Sequence, residues 1–84
     1  MIIAFDHEAF QQFQNWASED KKIFKKIGEL IKDTSRTPFQ GLGKPEGLKG
    51  NLSGYWSRRI TDEHRLVYKL ENDTLFIISC KFHY

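Results

Sequence analysis

The fold is decided by residues 52–82, LSGYWSRRITDEHRLVYKLENDTLFIISCKF. Apolar and polar side chains alternate here with a period of two, the spacing of strands with one face buried. Three strands are predicted, Leu52–Ile60, His64–Leu70 and Thr74–Phe82, joined by the polar turns Thr61-Asp62-Glu63 and Glu71-Asn72-Asp73. Connections this short force antiparallel neighbours, because a parallel return needs a long crossover.

Sorting the strands by parity separates a core face from an open one. Leu52, Trp56 and Ile60 share one side of the first strand, and Ser53, Tyr55, Ser57 and Arg59 the other. His64, Leu66, Tyr68 and Leu70 oppose Arg65, Val67 and Lys69 on the second. On the third, Phe76, Ile78, Cys80 and Phe82 oppose Ser79, Lys81 and His83, although Leu75 and Ile77 fall on the His83 side. With the bulkier apolar set facing inward, Arg59, Arg65, Lys81 and His83 land together on the open face. Arg58 shares parity with Trp56, so it is either structural or freed by a bulge or an edge position.

Upstream the period changes. Met1–Phe5 is a short apolar strand that Asp6 cuts off; without a basic flank it is not a signal peptide. Asp6 caps a helix in which Phe10, Phe13, Trp16 and Ala17 recur at helical spacing. Ser18–Asp20 breaks the pattern and opens a second helix, whose Ile23, Ile27, Leu30 and Ile31 form an apolar stripe. Lys21, Lys22, Lys25 and Lys26 lie on its other side; such a stripe is ordinarily a solvated face, the alternative being contact with a polyanion such as ribosomal RNA. Residues 34–47 carry Pro38, Gly41, Gly43, Pro45 and Gly47, a long loop with Glu46 near its end. The expected architecture is one α+β domain over residues 1–84, two N-terminal helices packed on one face of a small twisted antiparallel sheet.

Eighty-four residues with 39% apolar content suit one small globular core. Cys80 is the only cysteine, which precludes an internal disulfide and fits a reducing cytoplasm. No stretch reaches the twenty or so apolar residues of a membrane span. The net charge of +2 is concentrated at residues 44–65, which hold Lys44, Lys49, Arg58, Arg59 and Arg65 against Glu46, Asp62 and Glu63. So few cations neutralise few phosphates, and grip on free nucleic acid should be weak.

The residues on the open face suggest RNA chemistry. RNA carries its own nucleophile, the 2′-hydroxyl, so an enzyme needs a base, cations for the phosphate charge and an acid for the departing oxygen. Glu46 is the candidate base, Arg65 the phosphate clamp and His83 the acid, its charged form favoured by the neighbouring terminal carboxylate. Lys49 and Arg59 would hold flanking charge, and Tyr84 offers a ring to stack on a base or position the phosphate. Each has a plainer reading: a loop glutamate, open-face arginines and a penultimate histidine are commonly mere surface. His64 faces the core as a structural histidine, His7 lies on helix surface, and Cys80 is a core residue. With no metal-ligand spacing and no Ser/His/Asp order, metal-free chemistry without a cofactor is inferred. Composition and spacing alone leave open an RNA or phosphate binder and a nuclease.

Specific motifs go further. Lys44-Pro45-Glu46, Leu48-Lys49, Leu52-Ser53-Gly54, Trp56-Ser57-Arg58-Arg59-Ile60, His64-Arg65-Leu66-Val67-Tyr68 and Cys80-Lys81-Phe82-His83-Tyr84 resemble the YoeB toxins (Txe/YoeB family) of bacterial toxin–antitoxin systems, within the RelE/ParE superfamily. The likeness is collinear along essentially the whole chain, both helices and the Thr37-Pro38-Phe39 loop included. It implies a RelE/ParE-like, microbial RNase-like fold and an endoribonuclease, an mRNA interferase that cleaves mRNA in the ribosomal A site and inhibits translation. It assigns catalysis to Glu46, Arg65 and His83, with Lys49, Arg59 and Tyr84 supporting. It also implies neutralisation by a YefM-like antitoxin that disturbs the C-terminal catalytic residues, and a tendency to form homodimers. Two other readings share the fold: a ParE-like toxin that inhibits DNA gyrase without catalysis, and a ribosome-binding module that does not cleave. A pure binder needs no base and acid together, which favours cleavage.

Overall fold

Asp6 ends the first strand and starts the first helix. Its carboxylate accepts a hydrogen bond from the Glu8 N–H (3.1 Å), so strand β1 (Ile2–Phe5) passes directly into helix α1 (His7–Glu19). Asp20 caps α2 (Lys21–Arg36) in the same way, accepting from the Lys22 and Ile23 N–H groups. Such caps satisfy N–H groups that have no partner inside the helix. The break between the helices is therefore Asp20 alone, narrower than the expected Ser18–Asp20. The computed structural model describes residues 1–82; His83 and Tyr84 lie outside the described residues.

Four further strands follow: β2 (Glu46–Gly47), β3 (Trp56–Arg59), β4 (Arg65–Glu71) and β5 (Thr74–Ser79). They form one sheet in the order β1-β5-β4-β3-β2. The β3, β4 and β5 meander is antiparallel, as the short turns require. Two pairings extend it. The end of the long loop adds β2 antiparallel to β3, and β1 lies parallel to β5, with Ile2 opposite Thr74 and Phe5 opposite Ile77. The sheet is thus mixed, and the long excursion through both helices and the meander supplies the crossover that a parallel pair needs.

Strand ends differ from expectation for local reasons. Gly50–Leu52 forms a single 3₁₀ turn and Gly54 has φ 97°, so β3 begins at Trp56 rather than Leu52. Asn72 and Asp73, at φ 50° and 58°, make a two-residue hairpin turn of the type that matches strand twist. The last strand stops at Ser79, three residues early.

Both helices pack on one sheet face. Ala9 and Trp16 of α1 and Ile27, Leu30 and Ile31 of α2 meet Leu66, Tyr68, Leu75, Ile77 and Cys80. The expected facing of the third strand is corrected here. Leu75 and Ile77 are fully buried in this core, whereas Phe76 lies opposite Lys69 and Phe82 is 60% exposed. The register shifts at Val67/Tyr68, and a one-residue slip moves every following side chain to the other face.

Candidate active site

The site is set up by two adjacent arginines that point opposite ways. Arg58 faces the helices and is wholly buried. Its Nη1 donates to Asp33 Oδ2 (2.7 Å) and the Leu42 carbonyl (3.1 Å), its Nη2 to the Thr37 (2.5 Å) and Gln40 (3.0 Å) carbonyls, and its Nε to Tyr68 Oη (3.2 Å). The Tyr68 hydroxyl in turn donates to the Pro38 carbonyl (2.6 Å). Arg58 is therefore structural: it fastens residues 37–42 to α2 and to the sheet. The Leu42 N–H, followed by the Arg58 guanidinium, holds the Asp33 carboxyl below the usual carboxylate range. Burial raises the Tyr68 hydroxyl, with Arg58 opposing it.

Gly43 carries the loop on to the sheet. At φ 76° its carbonyl accepts from the Arg59 N–H (2.6 Å), and a Cβ there would lie 2.9 Å from the Arg59 carbonyl and 3.0 Å from a Leu30 methyl. The chain then enters β2, which places Glu46 opposite Ser57.

Register puts the expected base and cations on one face. Glu46 pairs with Ser57, Ser57 is two residues from Arg59, and Arg59 pairs with Arg65. Paired residues and residues two apart share a face, so all three project from the side of the sheet opposite the helices. Strand spacing and rise place the Glu46 Cα about 8 Å from that of Arg59 and about 12 Å from that of Arg65. Arg59 and Glu46 are exposed, and Arg65 is half-buried. Arg65 Nη1 donates to the Thr61 (2.5 Å), His64 (3.1 Å) and Asp62 (3.2 Å) carbonyls, which ties one end of the guanidinium to the turn between β3 and β4.

The C-terminal segment is brought to the same place. The Arg65 N–H donates to the Phe82 carbonyl (2.8 Å), and the Phe82 N–H donates to Nδ1 of the buried His64 (2.9 Å). Two residues earlier, the Cys80 N–H donates to Gln12 Oε1 (2.8 Å) and its carbonyl accepts from Trp16 Nε1 (3.0 Å). The expected acid His83 and the expected stacking residue Tyr84 lie outside the described residues; they follow Phe82 directly in sequence.

The remaining candidates are further away. Lys49 is exposed, where the chain leaves β2 in the direction away from Arg59 and Arg65, so it flanks the group rather than joining it. Lys81 does not reach the open face as expected, because its ammonium sits over the rings of Trp16 (5.7 Å) and Phe82 (5.3 Å). The Cys80 thiol is fully buried and pushed up to about 12 by that burial, which leaves it inert. Sequence reasoning missed one residue and one link that matter here. Asp33 was detectable in principle, since a cation of core parity such as Arg58 requires a carboxylate partner. The link from His64 to Phe82 had no local signal, because it spans eighteen positions.

Comparison with known proteins agrees with the fold. A family model for the YoeB-like toxin of bacterial type II toxin–antitoxin systems matches residues 5–84. Toxin YoeB of Escherichia coli K12 is 57% identical over 84 residues, all of both chains. The YoeB/ParE toxin from Agrobacterium tumefaciens superposes with a TM-score of 0.97 at 45% identity, covering 100% of each chain. The Staphylococcus aureus YoeB has been solved as a dimer (TM-score 0.93, 48% identity) and as a YoeB–YefM complex (TM-score 0.92, 47% identity), each covering 100% of this chain and 98% of the other. The chain therefore belongs to the YoeB-like toxins of bacterial type II toxin–antitoxin systems.

Proposed function

We propose that this toxin is a ribosome-dependent endoribonuclease, an mRNA interferase that cleaves mRNA in the ribosomal A site. The observation that carries the reading is the shared face: a carboxylate, Glu46, and two arginines, Arg59 and Arg65, converge where the C-terminal segment is tied to Arg65. Glu46 takes the proton of the 2′-hydroxyl, whose oxygen attacks the adjacent phosphorus. Arg65 and Arg59 stabilise the charge that builds on the phosphoryl oxygens, and His83 gives a proton to the 5′-oxygen as the P–O5′ bond breaks. The products are a 2′,3′-cyclic phosphate, or the 3′-phosphate from its hydrolysis, and a 5′-hydroxyl. This scheme calls on no metal. Lys49 holds a flanking phosphate and Tyr84 a base.

The shape and charge of the face support dependence on the ribosome. Among the described residues no pocket encloses it, and a few cations neutralise few phosphates. The ribosome therefore supplies the positioning that the toxin lacks. In a bacterial cytoplasm the partner is a YefM-like antitoxin, in keeping with the Staphylococcus aureus complex, and the toxin dimerises as that relative does.

Toeprinting of translating ribosomes tests the reading. The parent should cut mRNA within ribosomes far faster than naked RNA, with Glu46→Ala and His83→Gln each slower by about 10²–10⁴-fold. Stalled but intact mRNA would mark a binding module, and unaffected translation would point to another target such as DNA gyrase.

A further inference from the structure

Resting on the reading above, we infer that His64 is a positioning residue for the reaction. It acts by clamping the backbone at Phe82, the residue that precedes His83 in the sequence, against the start of β4.

The clamp is built from both sides of the imidazole. His64 is 7% exposed, and its ring meets Trp16 edge-on at 4.9 Å and Phe82 at 5.8 Å. Nδ1 accepts the Phe82 N–H at 2.9 Å, so Nδ1 carries no proton. The adjoining Arg65 N–H takes the Phe82 carbonyl at 2.8 Å. Two consecutive residues of β4 and its turn therefore bind both polar backbone groups of one residue. Phe82 has φ 59°, a conformation that costs a phenylalanine energy and persists only when its surroundings enforce it.

The turn side is equally fixed. The His64 N–H donates to Thr61 Oγ1 (3.1 Å), and its carbonyl accepts from Ile60 N–H (3.0 Å) and from Arg65 Nη1 (3.1 Å). One residue thus holds the Arg65 guanidinium through its carbonyl and the C-terminal segment through its ring. Among the described residues, the groups recorded against the ring are Glu63, whose Oε1 lies 3.8 Å from Nε2, and two aromatic partners that carry no charge. A misplacement of about 1 Å in a catalytic group can cost 10²-fold in rate, so a clamp one residue from the acid is placed to control turnover.

Asparagine and leucine at position 64 give nearly isosteric tests, both lacking the ring, of which only asparagine offers an acceptor in place of Nδ1. With programmed ribosomes, His64→Leu should lower kcat about 100-fold with KM unchanged. His64→Asn should recover most of that loss. Amide exchange gives a readout independent of activity: the Phe82 N–H should be protected in the parent and in His64→Asn and exposed in His64→Leu. In the parent alone, which needs no variant to fold, the ¹⁵N shift of His64 Nδ1 should be that of an unprotonated nitrogen coupled across the hydrogen bond to the Phe82 amide. Equal loss in both variants, a protected Phe82 amide in His64→Leu, or a protonated Nδ1 would each overturn the clamp. A parent that cuts nothing defeats the nuclease reading instead, and the exchange and shift measurements still decide whether the clamp exists.

Discussion

Replacing Arg58 by methionine should cost this domain a large share of its stability. Arg58 makes five hydrogen bonds while fully buried, one of them to the Asp33 carboxylate. Removing one partner of a buried ion pair costs about 3–5 kcal/mol, because the charge left behind loses its partner. The Thr37 and Gln40 carbonyls belong to exposed residues and rehydrate easily, which favours the lower end of that range. A chain of 84 residues has roughly 4–13 kcal/mol of stability in all. At about 4–8 °C per kcal/mol, the midpoint should fall by at least about 12 °C. Lysine at 58 should restore little, since a single ammonium cannot fork to a carboxylate and three carbonyls at once. Arg59→Ala is the matched control, because Arg59 is exposed and its loss should change stability by less than about 0.5 kcal/mol. Thermal unfolding followed by circular dichroism reads all three variants. If Arg58→Met unfolds within a few degrees of Arg59→Ala, the network is not what holds the loop.

The same network sets a pH dependence. The Asp33 carboxyl is held below its ordinary value in the folded state, so its contribution is complete above about pH 4 and is lost as pH falls through the folded value. The midpoint gap between the parent and Asp33→Asn should therefore be constant near neutrality and close in acid; a gap unchanged down to pH 2 contradicts the assignment. Gly43→Ala should be costly twice over, through about 1–2 kcal/mol for a left-handed alanine and through contact with the Arg59 carbonyl and Leu30. Gly50→Ala shares the left-handed backbone (φ 65°) but meets nothing within 4 Å, so it should cost only the first part. Equal midpoints for the two alanine variants would remove the steric argument.

What could be read in advance follows from the range of the forces involved. The β3-β4-β5 meander was legible because alternation and short polar turns are local, and the helices because Asp6 and Asp20 are caps at the right places. Strand β2 was not, since two residues carry no period and join the sheet only through partners nine and eleven positions away. The inward set on β5 was misread because a register shift leaves no mark on composition. In the candidate site, parity found Arg59 and Arg65, whereas Glu46 reaches them by a pairing that tertiary contacts decide.

The alternation that exposes Arg59 is also what buries Arg58, and the two roles depend on one another. Inward, Arg58 grips residues 37–42; outward, Arg59 faces solvent and binds Gly43 through its own N–H. The loop between those two attachments and β2 is only residues 44 and 45, so the position of Glu46 is fixed from behind the sheet. A register slip of one residue in β3 would exchange the arginines. Arg59 would then lie inward, Arg58 would take its place outside, and the loop would be fastened one residue out of step with the face that Glu46 must join. Register in this strand is thus enforced by the Arg58–Asp33 pair as well as by apolar burial, which ties the geometry of the exposed carboxylate and cations to a buried charge on the far side of the same sheet.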